Sequence, residues 1–508
     1  MALGKLAAID IGIVIAYLLG MMWFGIRVGR FIKDDRDYFL GGRRLPWWAI
    51  GMSMVVSDIG ALDIVGVAGA AYIYGIAMAN FEWIGCIPAM IVGAFIFIPF
   101  YWRTGVFTIP EFLGRRYNQF VRTVVALISG IFMSFMLGIF LYTAAKTINI
   151  LIGWPEYISI LIVAAVVGIY TLFGGLAAVV FTDALQCVIM FTGSALILGI
   201  ALVKIGGWNE LVTAVSGMGE GYQHHFDLLV PIDSPTPYGW AGIIFGLSFV
   251  LSPAYWLGNQ AIVQRTLGAR SEYEAKKSVL WGAFLKLLIP FMLVGPGLAG
   301  IVLHPGIESG DDIYPTLIHD LLPPGVTGLV FAAFLAALMS SVDSYLNSAA
   351  TLWTKDIYES FIRPGKSHRH YMVVGKVLIV VFLTVGVMLA PVAASFPTIY
   401  GFFQTVFSMV QGPLLAIIGL GLLWPRANGI GASVGLVAGF AASSLLFWIR
   451  GALYTSPEPF LYIAWWSFVI ALTVTVTVSL ATPPDADRGF PTIHDKPDAD
   501  NTAGGTPS

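Results

Sequence analysis

Long apolar runs separated by short polar loops set the pattern of this chain. About thirteen of them approach the roughly 20 residues a helix needs to cross a bilayer core. They lie at 7–28, 46–71, 79–101, 121–148, 153–173, 178–203, 238–256, 276–303, 325–355, 370–394, 395–424, 428–452 and 459–481. Short alternating strands, the mark of a transmembrane barrel, do not occur, so the runs are predicted as helices. The first run lacks a basic leader and an A-x-A-like cleavage site, and Arg27 and Arg30 follow it. It reads as a retained span rather than a removed signal. The expected fold class is an all-α polytopic membrane protein.

Composition excludes the soluble alternatives. Of the 508 residues 57% are hydrophobic and 11% charged, against about 25% charged in a typical soluble domain. Mean hydropathy is +0.83, so the solvent for most of the chain is lipid. The net charge of −2 and the lack of a basic tract leave no footprint for nucleic acid. Cys86 and Cys187 both lie in apolar runs and read as small core residues rather than a disulfide. Nothing in the sequence fixes an oligomeric state.

Lys and Arg in the short loops set the orientation. They crowd the loops after the first span (Arg27 to Arg44), the third (Arg103 to Arg122), the seventh (Arg265, Arg270, Lys276, Lys277) and the ninth (Lys355 to Arg369). The alternate loops, 204–237 and 304–324, hold only Lys204. The amino terminus is therefore expected outside and the polar tail from Thr482 in the cytoplasm, in a plasma or inner membrane.

Two spans carry signals of interruption. The second contains Ser57-Asp58-Ile59-Gly60, with Asp63 a turn later; the seventh contains Ser252-Pro253 before Tyr255 and Trp256. Proline lacks a backbone donor and clashes with the preceding turn, so a kink or break is expected there. The two spans lie five apart and cross in opposite directions, which suits a five-plus-five inverted repeat of LeuT type, with ions and solute held at helix breaks. The expected divisions are a leading helix and loop (1–45), a first repeat (46–203), an extracellular loop (204–237), a second repeat (238–424), two accessory helices (425–481) and a cytoplasmic tail (482–508).

Ionisable groups at bilayer depth are costly and mark function by default. Glu82 and Lys286 lie within spans, Lys286 roughly 15 Å inside its own, too deep to snorkel easily. They form either a structural ion pair or the polar wall of a pocket; Gln404, with Phe81, Tyr255, Trp256 and Tyr400 as aromatic cover, suits the pocket, and a hydroxylated solute in it. In the ninth span Ser340, Ser344 and Ser348 share one face, with Ser341 beside them and Asp343 in the same turn. Hydroxyls, released carbonyls and a carboxylate are oxygen ligands for a hard cation. Asp183 is a second candidate carboxylate, or else a helix cap at the membrane surface. Lys146 is expected to snorkel or pair near the outer surface. His224, His225 and His304 lack metal-ligand spacing.

Several stretches together carry a family resemblance: Phe39 to Trp48, Phe81-Glu82-Trp83, Ile109 to Leu113, Gly174 to Gln186, Asn259 to Arg265, and Ser340-Ser341 through Tyr358. Over roughly 5–455 the chain resembles the sodium–solute symporter family, and within it the sodium–glucose type. The resemblance implies a LeuT-type core and a sodium site of backbone carbonyls and side chains at Val56, Ile59, Ala337, Ser340 and Ser341. For members that bind a second ion it implies Asp183, Asp343 and Ser344. Glu82, Lys286 and Gln404 fall on sugar-binding positions, Tyr255 on an inner gate, and Phe81 and Tyr400 on outer gates. Asp58 stands where sugar-binding relatives usually carry asparagine, Asp63 where they carry glutamine or histidine, and Ser252 replaces another asparagine. The function expected is sodium-coupled uptake of a small hydroxylated solute, most readily a sugar, with Na+ as co-transported ion. A polyol, amino sugar, amino acid or monocarboxylate are the alternatives. A channel would need a continuous polar path, a sensor has no appended soluble domain to support it, and an enzyme would need a nucleophile–base pair or metal cluster that no spacing suggests.

Overall fold

The computed structural model describes residues 7–29, 35–234, 236–393, 399–454 and 459–485. Among these residues there is no strand; the architecture is helical throughout. Ten helices are long and apolar enough to cross a membrane, and one bent pair makes an eleventh candidate. The runs expected at 7–28 and 153–173 appear as the shorter apolar stretches Ala8–Phe24 and Glu156–Ile169.

In chain order the helices are α1 (Ala8–Gly29), α2 (Trp47–Asp58), α3 (Ala61–Tyr74), α4 (Phe81–Thr104), α5 (Gln119–Ile152) and α6 (Glu156–Ile205). After the segment 206–241 come α7 (Gly242–Gly258), α8 (Gln260–Leu267), α9 (Glu272–Lys286), α10 (Ile289–Leu303) and α11 (Val326–Leu352). Helices α12 (His368–Ala393), α13 (Ile399–Leu423), α14 (Gly429–Trp448) and α15 (Phe460–Ala481) complete the bundle. The core pairs α6 with α11, flanked by α2, α5 and α1.

Breaks, rather than the helices themselves, position the chemistry. Helix α6 covers two expected spans that turn at Gly175, whose φ of 51° and ψ of −162° leave the helical region. A Cβ there would strike the backbone oxygen of Tyr38, so glycine alone fits. The start of α11 is held by Asp10 of α1, whose Oδ1 accepts from the Gly325 and Gly328 amides, each at 2.7 Å. A carboxylate at a helix N-terminus is favoured by the orphan donors there.

The expected break at Ser252-Pro253 lies elsewhere. Residues Gly242–Leu251 wind in wide π turns, which absorb the missing proline donor, and the helix runs on through Pro253. The bend, 50° between α7 and α8, falls at Asn259, which is extended (φ −76°, ψ 118°) and caps α8 through its own side chain. Two cations read as loop residues are also internal. Arg265 belongs to α8 and is 1% exposed, and Arg116 is buried against the carbonyls of Gly421 and Trp424. Lys146 lies 3.7 Å from Asp312, the pairing expected of it. Both cysteines are buried and unbridged.

Candidate functional site

At the end of α2 the helix stops because two donors go elsewhere. In a continuous helix the Gly60 amide would bond the Val56 carbonyl; instead it donates to Asp63 Oδ2 at 2.9 Å. The Asp63 amide, which would serve Ile59, turns to the Gly60 carbonyl at 3.1 Å. Ile59 (φ −98°, ψ 84°) and Gly60 (φ −79°, ψ 177°) carry the chain across to α3. The carbonyls of Val56 and Ile59 are thereby released from helix bonds within a buried environment, where an unserved acceptor is costly. Opposite lies α11. Ser341 Oγ donates to the Ser57 carbonyl at 3.3 Å and to the Ala337 carbonyl at 3.2 Å, and Ser340 Oγ is 3.0 Å from Ser57 Oγ. All five residues expected at the first sodium site thus lie at this junction, and all five are buried.

Beside the break opens a cavity with about 740 Å³ of atom-free space, part of it open to solvent. Its wall includes Ser57, Asp58, Ile59 and Asp63 from the break, Phe81, Glu82 and Cys86 from α4, and Phe140 from α5. Ser252, Tyr255 and Trp256 come from α7, Tyr345 from α11, and Phe403, Gln404 and Phe407 from α13. Lys286, at the C-terminal end of α9, is fully buried behind this wall. It forms ion pairs with Asp58 and with Glu82 Oε2, the latter at 2.7 Å, and its ammonium sits 5.5 Å from the Trp256 ring. The two readings of Lys286 therefore merge: it is paired, and both its partners line the cavity. The mixed polar and aromatic lining is that of a small-molecule site.

A second polar cluster lies deeper. Arg265 donates from Nε to Ser53 Oγ at 2.6 Å and from Nη2 to Ser57 Oγ at 2.7 Å and Asp183 Oδ2 at 3.2 Å, and also bonds Ser344 and the Ala261 carbonyl. Ser53 in turn donates to Asp183 Oδ2 at 2.5 Å. Asp183 lies well inside α6, eight residues past its turn at Gly175, and is not a surface helix cap. Asp343 Oδ1 accepts from Ser344 at 3.1 Å. The group expected to hold a second sodium thus already contains a guanidinium.

Of the expected gates, Phe81 and Tyr255 line the cavity; the side chain of Tyr400 lies outside the described residues. The sequence reading missed Arg265, Ser53, Phe140, Tyr345, Phe403 and Phe407. Phe403 and Phe407 flank Gln404 on its own helix, and Phe407 packs 5.6 Å from the Tyr255 ring, so helical spacing around Gln404 was the available signal.

Two interrupted helices flanking a polar, aromatic-walled cavity define a secondary transporter of LeuT type. A solved Na+-coupled sialic acid symporter, substrate-bound and outward-open, superposes with a TM-score of 0.83 at 24% identity, covering 94% of this chain and 99% of that one. A nucleobase–cation symport transporter with bromovinylhydantoin bound has the same fold more distantly, at a TM-score of 0.57 and 11% identity over 90% of this chain and 98% of its own. Among curated proteins, the sodium/glucose cotransporter of Vibrio parahaemolyticus is 33% identical over 95% of this chain and 92% of its own length. Sodium/myo-inositol cotransporter 2 of Oryctolagus cuniculus is 34% identical over 94% of this chain and 77% of its own. The sodium:solute symporter family model matches residues 38–439, and the chain belongs to that family. It is a multi-pass membrane protein that couples sodium to the movement of a small solute.

Proposed function

We propose that the protein takes up a sugar or polyol on inward sodium flow by alternating access, with its amino terminus outside the cell membrane and its tail in the cytoplasm. The carrying observation is the break at Ile59 and Gly60, which releases two buried carbonyls opposite the serine-bearing face of α11 and beside a polar, aromatic-lined cavity. Sodium is held by the carbonyls of Val56, Ile59 and Ala337 with the hydroxyls of Ser340 and Ser341, all oxygen ligands of the kind a hard cation takes. Solute hydroxyls meet Asp58, Asp63, Glu82, Ser252 and Gln404, with Lys286 holding two of the carboxylates in place. Phe81 and Tyr400 close the outer side and Tyr255 the inner. Residues 46–203 and 238–424 form the two repeats, and the names of the glucose and myo-inositol relatives support the solute class.

Asp183, Asp343 and Ser344 are the set expected for a second sodium. Because Arg265 supplies a fixed positive charge to this set, we favour coupling to a single sodium. One sodium crossing a 100 mV potential yields about 2.3 kcal/mol, and a tenfold gradient adds about 1.4, enough for a few hundredfold accumulation of a neutral solute. Proteoliposomes screened with labelled glucose and myo-inositol, with and without an inward sodium gradient, test the reading. Uptake should appear only with sodium; equal uptake in potassium or choline contradicts it.

A further inference from the structure

A second cavity lies between α1, α5, α6 and α11, with about 1040 Å³ of atom-free space, part of it open to the surroundings. It shares no wall residue with the solute cavity. Its lining is apolar throughout, from Ile11 of α1 to Met339 of α11, and among the described residues no polar atom faces it. Tyr17, next to the lining residue Leu18, is not part of the wall; its hydroxyl accepts from Gln186 Nε2 at 3.1 Å. Water does not fill such a space, because a buried water needs polar partners and apolar cavities stay dry. Left empty, it forfeits the close packing of a protein interior. Its natural occupant is apolar.

Position decides which apolar molecule reaches it. The lining falls where α1 starts, where α5 gives way to α6 at Trp154, and where α11 starts, all in one half of the bundle. Along α1 it runs from Ile11 to Leu18 and along α11 from Phe331 to Met339. At the helical rise each stretch covers ~10–12 Å, against about 15 Å for one leaflet of a hydrocarbon core. Slot and lipid tail match in length. Two lining residues are well exposed, Ile15 at 51% and Ile162 at 39%, whereas Phe331, Leu335 and Met339 are at most 5% exposed. The mouth therefore opens sideways between α1 and the first limb of α6, on segments that face hydrocarbon. A buried far wall behind a lateral mouth suits a thin flexible chain, not the folded face of a partner protein. That far wall is also the helix of the sodium-site serines, since Met339 directly precedes Ser340.

We propose that this cavity holds one acyl chain of a membrane phospholipid, drawn from the leaflet on the side where α1 begins, and that the chain braces α11 behind Ser340 and Ser341. A tail that leaves bulk lipid gains little from the hydrophobic effect. Occupancy is favoured because the alternative is a void whose walls lose their dispersion contacts.

The test reconstitutes the full chain in phosphatidylcholine vesicles carrying a trace of phosphatidylcholine with a mid-chain diazirine, and maps the adducts after illumination. Label should concentrate severalfold on Leu335 and Met339 of the far wall over Leu19 and Leu161, which are exposed on α1 and α6. Val14→Phe and Val163→Phe, which place a ring in the slot, should remove label from Leu335 and Met339 and leave it on Leu19 and Leu161. In detergent stripped of lipid, added phosphatidylcholine should raise the unfolding temperature of the unaltered protein more than that of either variant. Label that follows exposure alone, heaviest on Leu19 and Leu161, overturns the proposal, as does an equal thermal gain in protein and variants. If neither variant folds, the labelling pattern of the unaltered protein decides alone. None of these readouts depends on which solute is carried.

Discussion

Arg265 and Lys286 are both buried cations held by carboxylates, yet one is sealed and the other faces a cavity. Arg265 spends its guanidinium on Asp183, three serine hydroxyls and a carbonyl, tying α8 to α2, α6 and α11. Lys286 meets two carboxylates whose other sides are cavity wall. The planar fork of arginine suits a fully enclosed network; the compact ammonium of lysine suits the back of a site whose front partners must exchange with a ligand. The enclosed Arg265 cluster is a structural tie, whereas the carboxylates paired with Lys286 sit on a cavity wall, where a ligand comes and goes.

The largest effect should come from breaking the sealed cluster. Arg265→Met leaves Asp183 buried without its cation, which costs about 3–5 kcal/mol, read as unfolding stability in detergent. Lys286→Met should cost clearly less, because Asp58 and Glu82 can be reached by water from the cavity. Equal losses would erase the distinction between the two clusters. Next, Gln404→Ala should lose about 1–3 kcal/mol of solute binding with stability and sodium affinity intact. Unaltered apparent affinity for every accepted solute in both Gln404→Ala and Glu82→Ala would move the pocket elsewhere. Ser341→Ala removes one neutral ligand, worth about 1 kcal/mol, and should raise the half-saturating sodium concentration roughly fivefold. An unchanged sodium dependence takes Ser341 out of the ion site. The smallest effect is expected at Asp343. With one coupled sodium the Hill coefficient is one in the unaltered protein and in Asp343→Asn; a coefficient near two that falls in the variant restores Asp183, Asp343 and Ser344 as a second sodium site.

The legibility of these regions in the sequence follows the same division. The break at Ser57 to Gly60 could be read because it depends on neighbours: Asp63, three residues on, captures the Gly60 amide. The break in α7–α8 was misplaced because proline is the louder signal, while the wide turns that absorb it have no residue signature. Arg265 was read as a loop cation because its carboxylate partner lies 82 residues away in sequence, and only packing of α2 against both α6 and α8 brings them together. The cavity carboxylates and Gln404 were visible as polar residues inside apolar runs. Their convergence was not, since no spacing rule connects α2, α4, α9 and α13.

Coupling of sodium to solute at the helix break of Ile59 and Gly60 is tested by solute accumulation in proteoliposomes as the sodium gradient is varied at fixed membrane potential. Accumulation should rise in proportion to the sodium ratio and vanish when sodium is equal on both sides at zero potential, with Ser341→Ala shifting the sodium dependence. Accumulation indifferent to the sodium ratio would contradict it.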